Sequence, residues 1–385
     1  MTEIFRIEET FSENTLTREE KINFHKALTV GESFAKKNVK PQNCLICNSS
    51  KNPFCNSHSV PARCLRAIAT NGIVKSSNGL VKISAVDDEK GVNEAGTFRL
   101  ICRECDDKVF KDYETFEKYS DNNPPDKLLH EIVLKNYLKF YHKKSIEAKA
   151  FPKMLENLNL PYPDLLEPIL NPGDRDKKDF IKSVYEARKL LNSNTNGYYR
   201  IIEYRKLPYT CPLAFQGSIT LITGFDGEII NDVFNNDKKY DLQDMHVCIF
   251  PEKEFTYILV FYKKYFQRYS QFAKHYTKLD FDERLRLLLF IILKYSEDYF
   301  YSADIQNIEY NPIVQDAITS TSILICDDED GDKDKINKCI KEYDLNKYKK
   351  LPNILAKEFV ENMNKIGKIP QFKNRHDAAT FDWED

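Results

Sequence analysis

Two Cys-x-x-Cys pairs, Cys44-Leu-Ile-Cys47 and Cys102-Arg-Glu-Cys105, are the residues whose types and spacing best suit chemistry. Zinc takes four soft or borderline ligands in a tetrahedron, and a tight turn carrying two thiolates supplies half of such a shell. Two turns close one site. The pairs stand far apart in sequence, so the metal would act as a staple, and structural zinc contributes roughly 10 kcal/mol or more at neutral pH. Reading the four as ordinary buried thiols requires two identical spacings to arise by coincidence. A second ligand set overlaps the first. Cys44, Cys47, Cys55 and His58 form C-x2-C-x7-C-x2-H, which zinc also accepts. That set leaves Cys102 and Cys105 without partners, whereas the four-thiolate set leaves only Cys55, as a small buried apolar residue.

With zinc held by sulfur alone, His58, in Asn56-Ser57-His58-Ser59-Val60-Pro61, is available as a base. Asp106 and Asp107 follow Cys105, and Glu114 lies two turns further on, so oxygen ligands for a hard divalent cation are at hand. Asp106, Phe110 and Glu114 fall on one face of a helix. Each residue also has a plainer reading. His58 could be a structural histidine that hydrogen-bonds its loop, and acids in the first turn of a helix are favoured by its dipole alone, by some tenths of a kcal/mol.

The order C-x2-C, then Ser57-His58-x-x-Pro61, then a Gly-led strand entering Leu100-Ile101-Cys102-x-x-Cys105 and a helix, resembles the zinc-bearing HNH endonucleases, ββα-metal nucleases on a treble-clef zinc frame. The resemblance covers residues 44 to about 118, under a quarter of the chain. It implies that His58 activates water, that Cys44, Cys47, Cys102 and Cys105 hold structural Zn²⁺, and that Asp106, with Glu114, holds a catalytic Mg²⁺ or Mn²⁺. The sequence departs from the family at Ser57, where an acid or His commonly stands, at Thr97 in place of its Asn, and at Phe110 in place of its last His. The implied activity is metal-dependent hydrolysis of DNA phosphodiester bonds, with RNA as the alternative substrate and bacterial anti-phage defence as the setting. A reading from another class is a non-catalytic zinc module that docks nucleic acid or a protein partner.

The elements that must position these groups divide into three stretches. Residues 1–40 read as a helical lead-in, with a capping-box-like start at Thr17-x-x-Glu20. Residues 41–150 read as the zinc module and its following helix, with a short strand at Leu80–Val86 and a helical pattern after Pro124-Pro125. Pro152, Pro161, Pro163, Pro168 and Pro172 then mark a connector, so a boundary falls near 150. Residues 151–385 read as a larger mixed domain that recognises a trigger, partner or substrate. Its expected helices are Asp179–Leu191, Tyr265–Tyr276 and a buried Phe281–Tyr299; its expected strands are Tyr198–Tyr204, Ser218–Thr223, Met245–Pro251 and Phe255–Tyr262. The fold class expected is α+β, a treble-clef or ββα-metal module followed by this larger domain.

Composition sets the limits. The chain has 385 residues with a net charge of −2, so nucleic-acid binding needs a local basic surface. The stretch 127–153 offers seven lysines against two glutamates, interleaved with Tyr137, Phe140 and Tyr141, a pattern suited to phosphate tracking and equally to a solvated face. Arg63, Arg99, Arg103, Lys139, Lys143 and Lys144 are the candidate phosphate contacts. The longest apolar run, Leu287–Leu293, is too short to cross a bilayer, which takes about 20 residues in a helix. The opening MTEIFRIEETF lacks the basic start and apolar stretch of a secretory peptide, so a cytoplasmic chain without membrane contact is expected, with a partner protein or a second copy docking through the C-terminal domain. Asp328-x-Asp330-Gly331 fails as a calcium loop, because Cys326 and Asn337 stand where its first and twelfth ligands belong. Gly224-Phe-Asp-Gly227 is a turn and not a dinucleotide loop.

Overall fold

The computed structural model describes residues 18–76, 89–119, 123–159, 174–193, 195–233, 239–305, 311–319 and 341–366, with Asn235, Asp237 and Ile308 between them. In chain order the elements are α1 (Arg18–Asn38), β1 (Ser57–His58), α2 (Ala62–Ile68), β2 (Ile73–Ser76), β3 (Glu89–Gly91), β4 (Thr97–Phe98), α3 (Arg103–Val109), α4 (Asp126–Leu158), α5 (Asp174–Leu191), β5 (Tyr199–Leu207), β6 (Leu213–Ile219), β7 (Met245–Pro251), β8 (Thr256–Lys263), α6 (Tyr269–Tyr276), α7 (Phe281–Tyr295), β9 (Phe300–Ser302), α8 (Pro312–Thr319) and α9 (Lys357–Ile366). The fold is mixed α+β. The strand expected at Leu80–Val86, the Thr17 cap and the acidic segment Asp327–Asp334 lie outside the described residues.

Seven strands form one antiparallel sheet in the order β3-β2-β9-β6-β7-β8-β5. Strands β7 and β8 are buried along their whole length, so both of their faces must be covered. Because side chains alternate across a strand, Cys248, Phe250, Leu259 and Phe261 enter one core, while Met245, Val247, Ile249, Ile258 and Val260 enter another. The first core also takes in Cys44, Cys102, Phe110 and the first half of α4; the second takes in α6 and α7. The sheet is therefore the middle layer. Its short strands β2 and β3 come from the N-terminal stretch, so the sheet and the first core both run across the boundary expected near residue 150.

Two helices fix the layers. α7 opens with a reciprocal capping box between Asp280 and Glu283 and is buried from Leu287 to Lys294, as its apolar middle requires. It ends at Tyr295, four residues before the expected Tyr299, with Ser296 already extended. α4 is buried without a break from Leu128 to Leu138 and continues through Pro152 to a left-handed cap at Asn159. The proline removes one donor but does not end the helix there. Leu213–Ile219 forms β6 where Ser218–Thr223 was expected, a shift toward the N-terminus that lets Leu213, Ala214 and Phe215 enter the cores.

Candidate metal centre and histidine site

The first Cys pair sits on a turn. Asn48 adopts φ +59°, its amide donates to the Cys44 carbonyl at 2.8 Å, and the Cys44 amide donates to Ser49 at 3.0 Å. The left-handed residue closes the knuckle so that both sulfurs face the same way, a conformation asparagine tolerates better than most residues. The second pair begins a helix. Cys102 precedes α3, Asp106 N–H donates to the Cys102 carbonyl at 3.0 Å, and Cys105 occupies the first turn. The two parts meet through an antiparallel arm, in which Phe54 bridges Cys102, Cys55 N–H donates to Ile101 at 3.2 Å, and β1 pairs with β4. Gly96, φ +64°, leads into β4, and a Cβ there would meet the Phe300 ring at 2.7 Å and Ser59 Oγ at 2.6 Å, so only glycine serves.

Cys44, Cys47, Cys102 and Cys105 bring their sulfurs within 4.8 Å of one another, a group that could hold a metal ion. A tetrahedron with metal–sulfur bonds of about 2.3 Å has edges of about 3.8 Å, and the Cys47 and Cys102 sulfurs are 3.8 Å apart. Cys102 N–H points at Cys44 Sγ from 3.3 Å and the Asn52 amide at Cys102 Sγ from 3.9 Å, donors that would soften the charge of bound thiolates. The rival set is not assembled. Cys55 turns its thiol to the Ile101 carbonyl at 3.6 Å, burial pushes that thiol up to about 12, and neither Cys55 nor His58 belongs to the converging group.

His58 ends β1, half-buried, with Nε2 3.1 Å from the Val92 carbonyl. A carbonyl only accepts, so Nε2 carries the proton and Nδ1 keeps the lone pair. Burial holds the imidazole below its usual value, outweighing the Val92 bond, and the positive charge of Lys135 adds to the effect. The ring is neutral near pH 7.

Ser57, next to it on the strand, faces the opposite way, into a buried polar cluster that local sequence did not reveal. Lys135 of α4 is 1% exposed, and its Nζ lies 2.8 Å from Ser57 Oγ, 2.7 Å from Asp106 Oδ1 and 3.4 Å from Glu114 Oε1, against the Phe110 ring face at 3.9 Å. Ser57 Oγ also donates to Asp106 Oδ1 at 2.6 Å. Burial pushes the Asp106 carboxyl up, but the charge of Lys135 and the bonds from Lys135 and Ser57 outweigh it and hold the group below its usual value. The one warning in the sequence was Lys135 itself, the lone lysine or arginine in the stretch Leu128–Leu138.

The two carboxylates expected to hold Mg²⁺ or Mn²⁺ therefore hold an ammonium, and the residues present do not fit a divalent ion beside it. The ammonium already pairs with both carboxylates, and a dication drawn to them would have to meet its repulsion or displace it. His58, Asp106 and Glu114 also do not converge on one point; among the described residues the four cysteines are the group that does.

The expected phosphate contacts are largely spent on internal pairs. Arg63 makes a two-pronged bridge to Glu252 at 2.5 and 3.0 Å and lies over Phe116. Lys139 pairs with Asp298 at 2.6 Å, Lys143 with Glu297 at 2.8 Å and Lys144 with Glu147 at 2.7 Å. Arg99 and Arg103 are exposed. Lys139, His142 and Lys143 line a cavity of about 580 Å³ together with Asn56, Thr97 and Arg99. Burial, with Lys139 beside it, pulls the His142 imidazole down to about 4.

Comparison with known protein families, curated proteins and solved structures finds no match. The HNH resemblance thus rests on residues 44–118 alone. Among the described residues, no helix is long and apolar enough to cross a membrane.

Proposed function

We propose that the chain is a zinc-clasped, HNH-like hydrolase of nucleic-acid phosphodiesters, DNA before RNA, with His58 as general base. The observation that supports this most is the carbonyl of Val92 on His58 Nε2, which fixes the tautomer and leaves Nδ1 as the basic atom. Zinc is the ion of choice for the four sulfurs, because it favours a closed tetrahedron of thiolates. The closed sulfur shell makes it structural. It holds the β1–β4 arm against α3, as a treble-clef frame would, and so fixes where His58 stands.

In the reaction, Nδ1 takes a proton from water as the water oxygen attacks phosphorus. The bond from phosphorus to the leaving oxygen breaks, and that oxygen takes a proton from solvent. No step passes through Mg²⁺ or Mn²⁺.

The test is nicking of a supercoiled plasmid by the zinc-loaded protein, run beside an RNA substrate. Nicking that His58→Ala abolishes at unchanged zinc content supports the proposal; equal nicking by that variant defeats it. A second reading, a non-catalytic module that docks nucleic acid or protein, is favoured by Lys135 against both carboxylates and by the internal pairing of Lys139, Lys143 and Lys144. It predicts no nicking by the wild-type protein.

A further inference from the structure

A buried lysine stands between two carboxylates, beside the strand that carries the base. An ammonium has three N–H donors and no acceptor. Lys135 finds three oxygens, on Ser57, Asp106 and Glu114, and turns its remaining side to the Phe110 ring. Its side chain is 1% exposed, whereas Asp106 is 22% and Glu114 40% exposed, so the ammonium lies behind the carboxylates, on the protein side. It is carried by the stretch of α4 that is buried without a break.

We propose that Lys135 is the resident cation of the carboxylate pair Asp106 and Glu114, on the side of β1 opposite His58. Its ammonium takes the seat between Asp106 and Glu114 that a divalent ion would need, so the chain itself sets the charge there and Mg²⁺ or Mn²⁺ is excluded. The inference deepens the reading of His58 as a base by assigning a positioning residue to it. Lys135 anchors Ser57, the residue before His58, and thereby holds β1 in register against β4. It does not touch substrate.

The experiment is Mn²⁺ binding followed by electron paramagnetic resonance on the zinc-loaded full chain. Wild-type protein should show no saturable Mn²⁺ site. Lys135→Met, which keeps the length of the stem and removes the charge, should gain one ion per chain, and Glu114→Gln in that background should lose it again. A wild-type chain that binds one Mn²⁺ and releases it on Glu114→Gln overturns the proposal, and so does a folded Lys135→Met protein that gains none. If Lys135→Met does not fold, Lys135→Gln, which removes the charge and can still donate to Ser57 and Asp106, takes its place, with one Mn²⁺ gained as the expected result and none gained as the result that overturns the proposal. Plasmid nicking plays no part in this readout, so failure of the hydrolase reading and failure of the resident-cation proposal are told apart.

Discussion

His246 gives the sharpest test of the packing between the sheet and α4. It lies on β7, 0% exposed, between the Tyr137 and Phe261 rings, with Nδ1 accepting from the Asn136 amide at 3.1 Å. Asn136 in turn accepts from Gln216 at 3.0 Å, so the imidazole ends a chain of amides that joins α4 to β6 and β7. Burial pulls the ring down to about 4 from an ordinary 6.5. A histidine depressed in the folded state takes up its proton first in the unfolded chain. Stability present at pH 8 is therefore lost as pH falls below 6.5, and the loss is complete only below 4. At pH 5 the loss from this residue is about 2 kcal/mol. His246→Phe removes the titration, keeps a flat ring against Phe261 and leaves the Asn136 donor unpaired, at a cost of about 1–3 kcal/mol. Urea unfolding at pH 8 and pH 5 should then show the gap between wild type and variant move by about 2 kcal/mol in favour of the variant at pH 5. Protonation of the cysteine cluster affects both proteins alike and cancels in the difference. A gap that does not change between the two pH values refutes the reasoning.

Glu131 should behave with the opposite sign. Its Oε2 accepts the amides of Asp112 and Tyr113 at 3.1 and 3.0 Å, and burial pushes the carboxyl up to about 7 despite them. The folded chain holds that proton between about 4.5 and 7 while the unfolded chain does not, so stability falls as pH rises through this window. Glu131→Gln, which keeps an acceptor for the amides, should gain on wild type by up to about 3 kcal/mol between pH 4.5 and 8 in the same unfolding assay. Cys55→Ser should leave the metal content at one ion per chain by elemental analysis, whereas Cys105→Ser should lose it; loss in the Cys55 variant would return the ligand set to Cys44, Cys47, Cys55 and His58.

The four-cysteine cluster was legible because each half is local: a Cys-x-x-Cys spacing fixes two sulfurs within one turn, and only the pairing of the halves is distant. The choice between the two ligand sets needed the arm that brings Phe54 to Cys102 and turns the Cys55 thiol to Ile101. The first part of α4, with α7, β7 and β8, was legible from apolar patterns; the continuation of α4 through Pro152 was not, because that proline reads as part of a connector. The continuity of the sheet across residue 150 was not, because β2 and β3 are four and three residues long and gain their partners only when β9 arrives from far along the chain. The lysines of α4 misled for a related reason. A count over residues 127–153 sees Glu131 and Glu147 but not Glu297 and Asp298, which neutralise Lys139 and Lys143 from the loop after α7. Asp106, Phe110 and Glu114 were expected on one helix face, but α3 ends at Val109 and Glu114 falls in the turn beyond it; the two carboxylates meet at Lys135, which comes from another helix.

For His58 to act as a base, the four sulfurs must share one ion while its imidazole stays outside. X-ray absorption at the zinc edge of the purified protein measures this directly. A single zinc with four sulfur neighbours at about 2.3 Å and no imidazole scattering is the predicted result; a shell of three sulfurs and one nitrogen at about 2.0 Å, or a protein that holds no transition metal, would contradict it.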